Sequence, residues 1–324
     1  MTGTHIHLIA GAGGYLGSEI VRQVRAAGLP VRALVRNEAA FRALVPDLEV
    51  QVVTGDLADR RLLRRALSGV RVAHYVALDP APRARRRNRE ALRALVDACA
   101  RADVHLLYAS CAMVYAPAPG PLPEDAPLRS GAGSLAGQHR PAEVEIAAAA
   151  HERSLRATRL RLAPLLGSEQ APGASTGLFN RIAAGKPFLD PLPAQRLIGY
   201  LDLRDAARCF LRAAEQEPVY GQVLNVSGSE PLRRLDFLHA VAAAAGRPLR
   251  RSEVPPSLLH AARFARLAGD PFPWVAGDLV LDGRLAEELL GYTPRYALAD
   301  SIEAAVRACQ GTAAGARSGG AGRG

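Results

Sequence analysis

The chain has 324 residues, and its 49% hydrophobic content is spread over short runs of Ala, Val and Leu, which describes a globular α/β protein rather than a fibre or a disordered chain. No run approaches the roughly 18 apolar residues of a membrane span, and Met1 to Ala10 carries no basic leader, so a cytoplasmic home with no membrane partner is expected. The net charge of +10 comes from arginines scattered over many helical stretches, which argues against a nucleic-acid footprint.

From His5 to Leu162, short apolar runs alternate with longer helical patterns, the order that builds a parallel sheet covered on both faces. The predicted strands are His5–Ala10, Val31–Val35, Val50–Thr54, Val72–Val76, His105–Ala109 and Thr158–Leu162. The predicted helices are Tyr15–Ala27, Arg60–Leu67, Arg89–Ala102 and Ala142–Ser154. Beyond Leu162 the Pro- and Gly-rich stretches Gln170–Gly173 and Pro187–Pro193 open a smaller lobe. The expected division is a Rossmann unit over 1–170, joined by 198–230, which return to the sheet near Gly199–Leu203 and Val223–Val226. A substrate-binding lobe then takes 171–197 and 231–310, and 311–324 form a disordered Gly/Ala/Arg tail. Cys99, Cys111, Cys209 and Cys309 share no metal-ligand spacing, so no metal is expected.

Between the first strand and first helix lies Gly11-Ala12-Gly13-Gly14-Tyr15-Leu16-Gly17. Gly11 permits a tight turn, Gly14 lets the backbone approach a pyrophosphate, and Gly17 allows the helix to pack closely on the strand, with Gly13 a further cofactor-binding residue of the same turn. Tyr15 and Leu16 open the helix, whose N-terminal N–H groups favour an anion. Arg36 ends the second strand, where an enzyme preferring NAD carries an acid; an arginine there suits the 2′-phosphate of NADP(H). Asp56, followed by Leu57, reads either as an acceptor for the adenine amine or as a helix N-cap. Ala77 follows the fourth strand at the same edge of the sheet.

With these residues the chain resembles the extended short-chain dehydrogenase/reductases, the NAD(P)-dependent epimerase/dehydratase family, from His5 to about Ala305. The likeness includes His74-Tyr75-Val76-Ala77, Asn88, Ser110 to Tyr115, Arg161 with Pro164 and Gly167, and Tyr200 to Asp205. It continues through Asn225-Val226-Ser227-Gly228 and Leu289 to Pro294. The resemblance implies a doubly wound Rossmann sheet with a smaller C-terminal lobe, and a homodimer paired through Asn88–Ala102 and Ala142–Ser154.

The family's chemistry uses a Ser or Thr, a Tyr and a Lys four residues after it. Here the hydroxyl position holds Cys111, preceded by Ser110. None of the eight tyrosines has a lysine four residues on, and Lys186 is the single lysine of the chain. Alignment through Glu143 puts Leu135 and His139 at the Tyr and Lys positions, and a two-residue shift puts Gly137 and Pro141 there. Pro141 favours a first helical turn, which would leave His139 just outside the helix. His139 reads as a substitute acid or base or as a surface histidine in a loop. Tyr115 is the remaining phenol near the expected nicotinamide, and Cys111 reads as a nucleophile or a small apolar filler. The run Arg83 to Arg89 reads as a grip on an anion or as a solvated helix start, and Asp79 is a base by position only. Three functions remain open: an NADP(H)-linked reductase of a small organic substrate by a non-standard mechanism, a redox-neutral isomerase, cyclase or lyase with an unused dinucleotide, and a non-catalytic nucleotide sensor.

Overall fold

The structure, a computed structural model, describes residues 5–79, 81–116, 118–129, 136–167, 176–255 and 278–318. Seven strands, β1 (Ile6–Ala10), β2 (Val31–Val35), β3 (Gln51–Thr54), β4 (Val70–Tyr75), β5 (His105–Cys111), β6 (Ala157–Leu162) and β7 (Val223–Val226), form one parallel sheet. Its order is β7-β6-β5-β4-β1-β2-β3. The chain reverses direction of winding between β1 and β4, and in open α/β sheets ligands bind at that point beyond the strand ends.

Parallel strands covered on both faces read as near-continuous apolar runs, and alternation sends each residue to one face or the other. On β1, Ile9 joins one core while Leu8 and Ala10 join the second. The first core is closed by α1 (Tyr15–Ala26), which buries Leu16, Ile20, Val21 and Val24 at helical spacing. Beside it lies α7 (Leu203–Glu215), with Phe210 and Ala213 fully buried. The second core is closed by α3 (Arg60–Ala66), α4 (Arg85–Ala102) and α5 (Ala136–Arg153). Between β2 and β3 runs α2 (Glu38–Leu44), capped by Asn37, whose side chain accepts the Ala40 N–H at 3.0 Å.

A third core lies among α6 (Thr176–Ala183), α8 (Arg234–Ala244) and the last helix, with Phe179, Phe237 and Tyr200 at its centre. Tyr200 stacks on Phe237 at 4.1 Å between ring centroids.

Several elements differ from the sequence-based expectation. The stretch Leu201–Asp202 pairs in parallel with Leu165–Leu166 and forms a separate ribbon rather than a strand of the main sheet. Leu279, Leu281, Leu290 and Tyr292, expected in the lobe, pack in the first core around α9 (Arg284–Leu290), because α9 lies against β7 and α7. The last helix, α10 (Leu298–Ser318), runs well into the segment expected to lack order. Finally, α5 begins at Ala136 with Pro141 inside it, so His139 is helical and not in a loop. A proline there removes one backbone donor, leaving the carbonyl a turn earlier without its usual partner. Leu135 lies outside the described residues.

Candidate active site

A cavity opens at the C-terminal ends of β1, β2, β3 and β4. Gly11, Gly13 and Gly14 line its floor, Val35, Arg36 and Asn37 one side, and Gly55, Asp56 and Leu57 the next. Val76, Ala77, Asp79, Arg87 and Asn88 are also on its lining.

The glycines are required by contacts that can be measured. Gly11 has φ +96°, and a Cβ there would stand 2.8 Å from the backbone of Ala77. A Cβ on Gly17 would stand 2.1 Å from the Gly11 carbonyl oxygen, so the helix is seated directly on the turn. A Cβ on Gly13 would meet only Val35 Cγ1, at an ordinary 4.0 Å, and Gly13 itself lines the cavity. Helix α1 has Gly14 at its N-cap, no side-chain cap and no acidic residue in its first turn. The positive end of its dipole is thus left for an anion. Leu16 is turned into the core, and Tyr15 packs partly buried against it. Neither side chain is on the cavity lining; what they offer an anion is backbone.

We expect Gly17→Ala to push α1 off the turn, costing about 1–3 kcal/mol by overpacking. A fall in melting temperature, with dinucleotide affinity weakened roughly tenfold or more, is the expected result. Unchanged affinity would show that the turn does not hold the ligand.

Asp56 does not cap α3. That role falls to Asp59, which accepts the Arg61 and Leu62 N–H groups at 2.8 and 3.2 Å. Asp56 instead accepts the Ala58 N–H at 3.0 Å through Oδ1 and the Arg87 guanidinium at 2.7 Å through Oδ2. The Ala58 N–H, followed by Arg87 and Arg36, holds its carboxyl below the usual range against the opposing effect of partial burial. Asn88 donates to the Asp79 carbonyl at 2.7 Å and to Gln138 Oε1 at 2.6 Å, tying the cavity wall to α5. Asn37 escaped the sequence reading; its signal was an Asn directly before Glu38 and an Ala- and Leu-containing helical run.

The proposed catalytic residues sit elsewhere: Ser110 and Cys111 at the end of β5, Tyr115 just after the short turn Ala112–Val114 that follows it, and His139 on α5. Ser110, Cys111, Tyr115 and His139 are absent from the lining of this cavity. Ser110 Oγ donates to Glu143 Oε1 at 2.5 Å. Glu143 is gripped by Arg161, with Nε at 3.0 Å and Nη2 at 2.7 Å, and both side chains are almost fully buried. Arg161 Nη1 also donates to Tyr115 Oη at 2.8 Å, and the Tyr115 hydroxyl spends its proton on Asn225 Oδ1 at 2.6 Å. Asn225 in turn donates to the Leu122 carbonyl. Burial raises the Tyr115 pKa, and the Arg161 contact only partly offsets it. Burial pushes the Cys111 thiol up to about 12, so no thiolate forms near neutral pH.

His139 is buried, and its Nδ1 lies 2.8 Å from Tyr108 Oη. Desolvation lowers its pKa to about 4, with Glu143 acting weakly in the opposite sense. The Tyr108 phenol is pushed well up by burial, so it stays protonated and donates to the neutral imidazole. Sequence reading missed Tyr108, since a tyrosine within an apolar strand carries no mark of a polar partner. Among the described residues no cluster of His, Cys, Asp and Glu fits a metal ion, and no helix is long and apolar enough to cross a membrane.

Residues 11–175 match a family model described as NAD(P)H-binding. The chain is 33% identical over 282 residues to a 3-diazoavenalumate denitrifying reductase of a Streptomyces species, covering 81% of this chain and 86% of that protein. It is 28% identical over 243 residues to the NAD(P)H azoreductase of Xenophilus azovorans, covering 75% of each. Among solved structures, the UDP-glucose 4-epimerase of Thermus thermophilus in complex with NAD superposes with a TM-score of 0.76 at 22% identity, over 94% of this chain and 99% of that one. The UDP-glucuronic acid 4-epimerase of Bacillus cereus in complex with NAD gives a TM-score of 0.79 at 18% identity, over 95% and 99%. At those identities the likeness is one of fold.

Proposed function

This chain belongs to the extended short-chain dehydrogenase/reductases, the NAD(P)-dependent epimerase/dehydratase family of enzymes, and on that premise we infer that it is an NADP(H)-dependent reductase whose substrate takes up a hydride without needing a proton relay. The observation that carries this reading is the closed network from Ser110 to Asn225, in a chain whose single lysine is Lys186.

The residues fit a dinucleotide. Gly13 and Gly14 supply a side-chain-free cradle, the α1 N-terminus faces it, and Arg36 stands where the second strand ends. When bound, the dihydronicotinamide supplies a hydride. The protein would then have to orient the acceptor and exclude water, since its hydroxyls are committed elsewhere. Arg161 and Glu143 fix Tyr115 and Ser110 in place. His139 and Tyr108 form a neutral pair, and Cys111 remains a thiol.

A ketone that accepts a hydride leaves an alkoxide, which requires a donor worth several kcal/mol. An aryl diazonium carbon makes a different demand. As its C–H bond forms, the C–N bond breaks and dinitrogen departs with that bonding pair, so no proton is consumed and no oxyanion develops. An azo group lies between, because its reduction consumes a proton for each hydride. Two relatives are named for diazo and azo compounds, and the absent relay favours the diazo class.

The test is to mix the protein and NADPH with a carboxylated aryl diazonium salt, an azo dye and a ketone in parallel. We expect NADPH loss above the protein-free rate with the diazonium, one dinitrogen released per NADPH, and deuterium from C4-labelled NADPH on the aromatic carbon. Preferred reduction of the ketone, or product formed while NADPH stays constant, would overturn the proposal; the second outcome would point to redox-neutral chemistry.

A further inference from the structure

Arg87 opens an unfavourable helix. It lies in the first turn of α4 beside Arg85 and Arg86, where the helix dipole repels cations; that turn has no acidic residue, and Ala84 at the N-cap offers no side-chain cap. Its partner Asp56 accepts from Nε at 3.1 Å and from Nη2 at 2.7 Å. The two side chains are 54% and 43% exposed, and pairs so open to solvent stabilise a fold very little. Stability therefore does not account for an arginine in this place.

The geometry of the cavity does. Arg36, Asp56 and Arg87 share its lining, and both arginines act on the Asp56 carboxylate. Asp79, the other carboxylate on the lining, is turned to the Ala81 N–H at 3.0 Å and takes no part in that triad. Without Arg87, Asp56 would offset Arg36 and leave the group neutral. With it, the group carries one net positive charge.

We propose that Arg87 is a cofactor-specificity residue: it cancels the charge of Asp56 so that the cavity accepts the 2′-phosphate of NADP(H), and it acts on that phosphate through Asp56 rather than by touching it. The inference rests on the NADP(H) reading above. A phosphate carries close to two negative charges near neutral pH, and an unscreened carboxylate in the same cavity would repel it. Dinucleotide lacking the phosphate would feel that carboxylate far less.

The experiment is calorimetric titration of NADPH and NADH into the wild type and four variants, with thermal melts confirming that each variant is folded. Arg87→Ala is expected to weaken NADPH about five- to twentyfold while leaving NADH within about twofold. Asp56→Asn is expected to raise the NADPH-to-NADH affinity ratio, any loss of an adenine contact falling on both dinucleotides alike, and Asp56→Asn with Arg87→Ala to restore the wild-type ratio. Equal loss for both dinucleotides in Arg87→Ala, no loss in Arg87→Ala, or a double variant whose NADPH-to-NADH ratio stays as low as that of Arg87→Ala would overturn the proposal; the last outcome would mean that Arg87 grips the phosphate itself. Arg36→Ala tests the underlying reading separately. If it leaves the NADPH-to-NADH ratio unchanged, the NADP(H) assignment fails whatever Arg87 does.

Discussion

Replacing Arg161 by methionine is expected to destabilise the fold by about 3–5 kcal/mol, because it strands a buried carboxylate. Arg161 donates to both oxygens of Glu143, to Tyr115 and to the Glu124 carbonyl, and its guanidinium lies 4.7 Å from the Tyr115 ring centroid. Glu143 is 3% exposed, so water cannot take over. What remains after the substitution is Ser110 as the donor to that carboxylate, and a hydroxyl does not balance a full charge. The loss reflects the unpaired partner more than the net worth of the pair. Arg161→Met combined with Glu143→Leu should therefore recover much of the stability, since a buried ion pair seldom outperforms apolar residues of similar volume. Urea unfolding of the wild type, the single and the double variant checks this. If single and double variants lose equal stability, the network does not behave as a desolvated ion pair. The double variant leaves Ser110 and Tyr115 in the chain but removes the carboxylate and guanidinium that hold them.

Acidification from about pH 7 to about pH 4.5 is expected to cost the folded chain several kcal/mol through its buried histidines. Among the described residues, four buried histidines have lowered pKa values: His7 to about 4, His105 to about 3, His139 to about 4, and His74 well below the ordinary value. In each, desolvation is the largest cause. The contacts agree with neutral rings. His7 Nδ1 lies 3.0 Å from His74 Nε2, so one proton is shared between two imidazoles and a second would set cation against cation. His74 also packs against Phe210 at 5.9 Å, which offers no acceptor. On His105, Nε2 lies 2.9 Å from Thr158 Oγ1, whose own proton goes to the Val219 carbonyl. The imidazole is thus the donor, and Arg156 and Arg71 disfavour a further charge.

The sign follows from where the protons bind. An unfolded histidine takes up a proton below about pH 6.5, whereas these folded ones resist until near pH 4. Stability contributed by the neutral rings is present above pH 6.5 and lost progressively as pH falls toward the folded values. For His139 alone, holding the midpoint at about 4 instead of 6.5 corresponds to roughly 3 kcal/mol. Carboxylates such as Asp202, held below 3.8, lose their contribution only at lower pH. Urea unfolding at several pH values in this window should give a slope of more than one proton. A His139→Leu, Tyr108→Phe variant should reduce that slope by about one proton. A flat profile would mean that the four rings are not held neutral.

How much of this was written in the chain alone varies from element to element. The turn from Gly11 to Gly17 was legible because a tight turn, a cradle and a close helix contact each impose a residue type at a fixed spacing; the contacts at Gly11 and Gly17 are of that local kind. The strands and α1 were legible through periodicity, and β2 and β7 fall where the sequence placed them. The loss of the Tyr and Lys pair was equally a sequence fact, since it depends only on which residues occur. By contrast, Pro141 argued for a helix start, and the fold placed it inside α5, where packing of Ile146 and Ala149 in the second core outweighs one missing backbone donor. His139 looked free to act, but Tyr108, thirty-one positions earlier, holds it. Arg87 looked like one cation among several in a run, until β3 and α4 brought Asp56 to it.

The sequence thus determined the strands of the main sheet, α1 and the glycine turn, because each is marked by residue types at a fixed short spacing along the chain. Only the tertiary structure decided which polar side chains are spent and which are left for chemistry. Hydrogen bonds and ion pairs between distant strands and helices settle protonation and charge, and nothing local in the chain records which partner each group will meet.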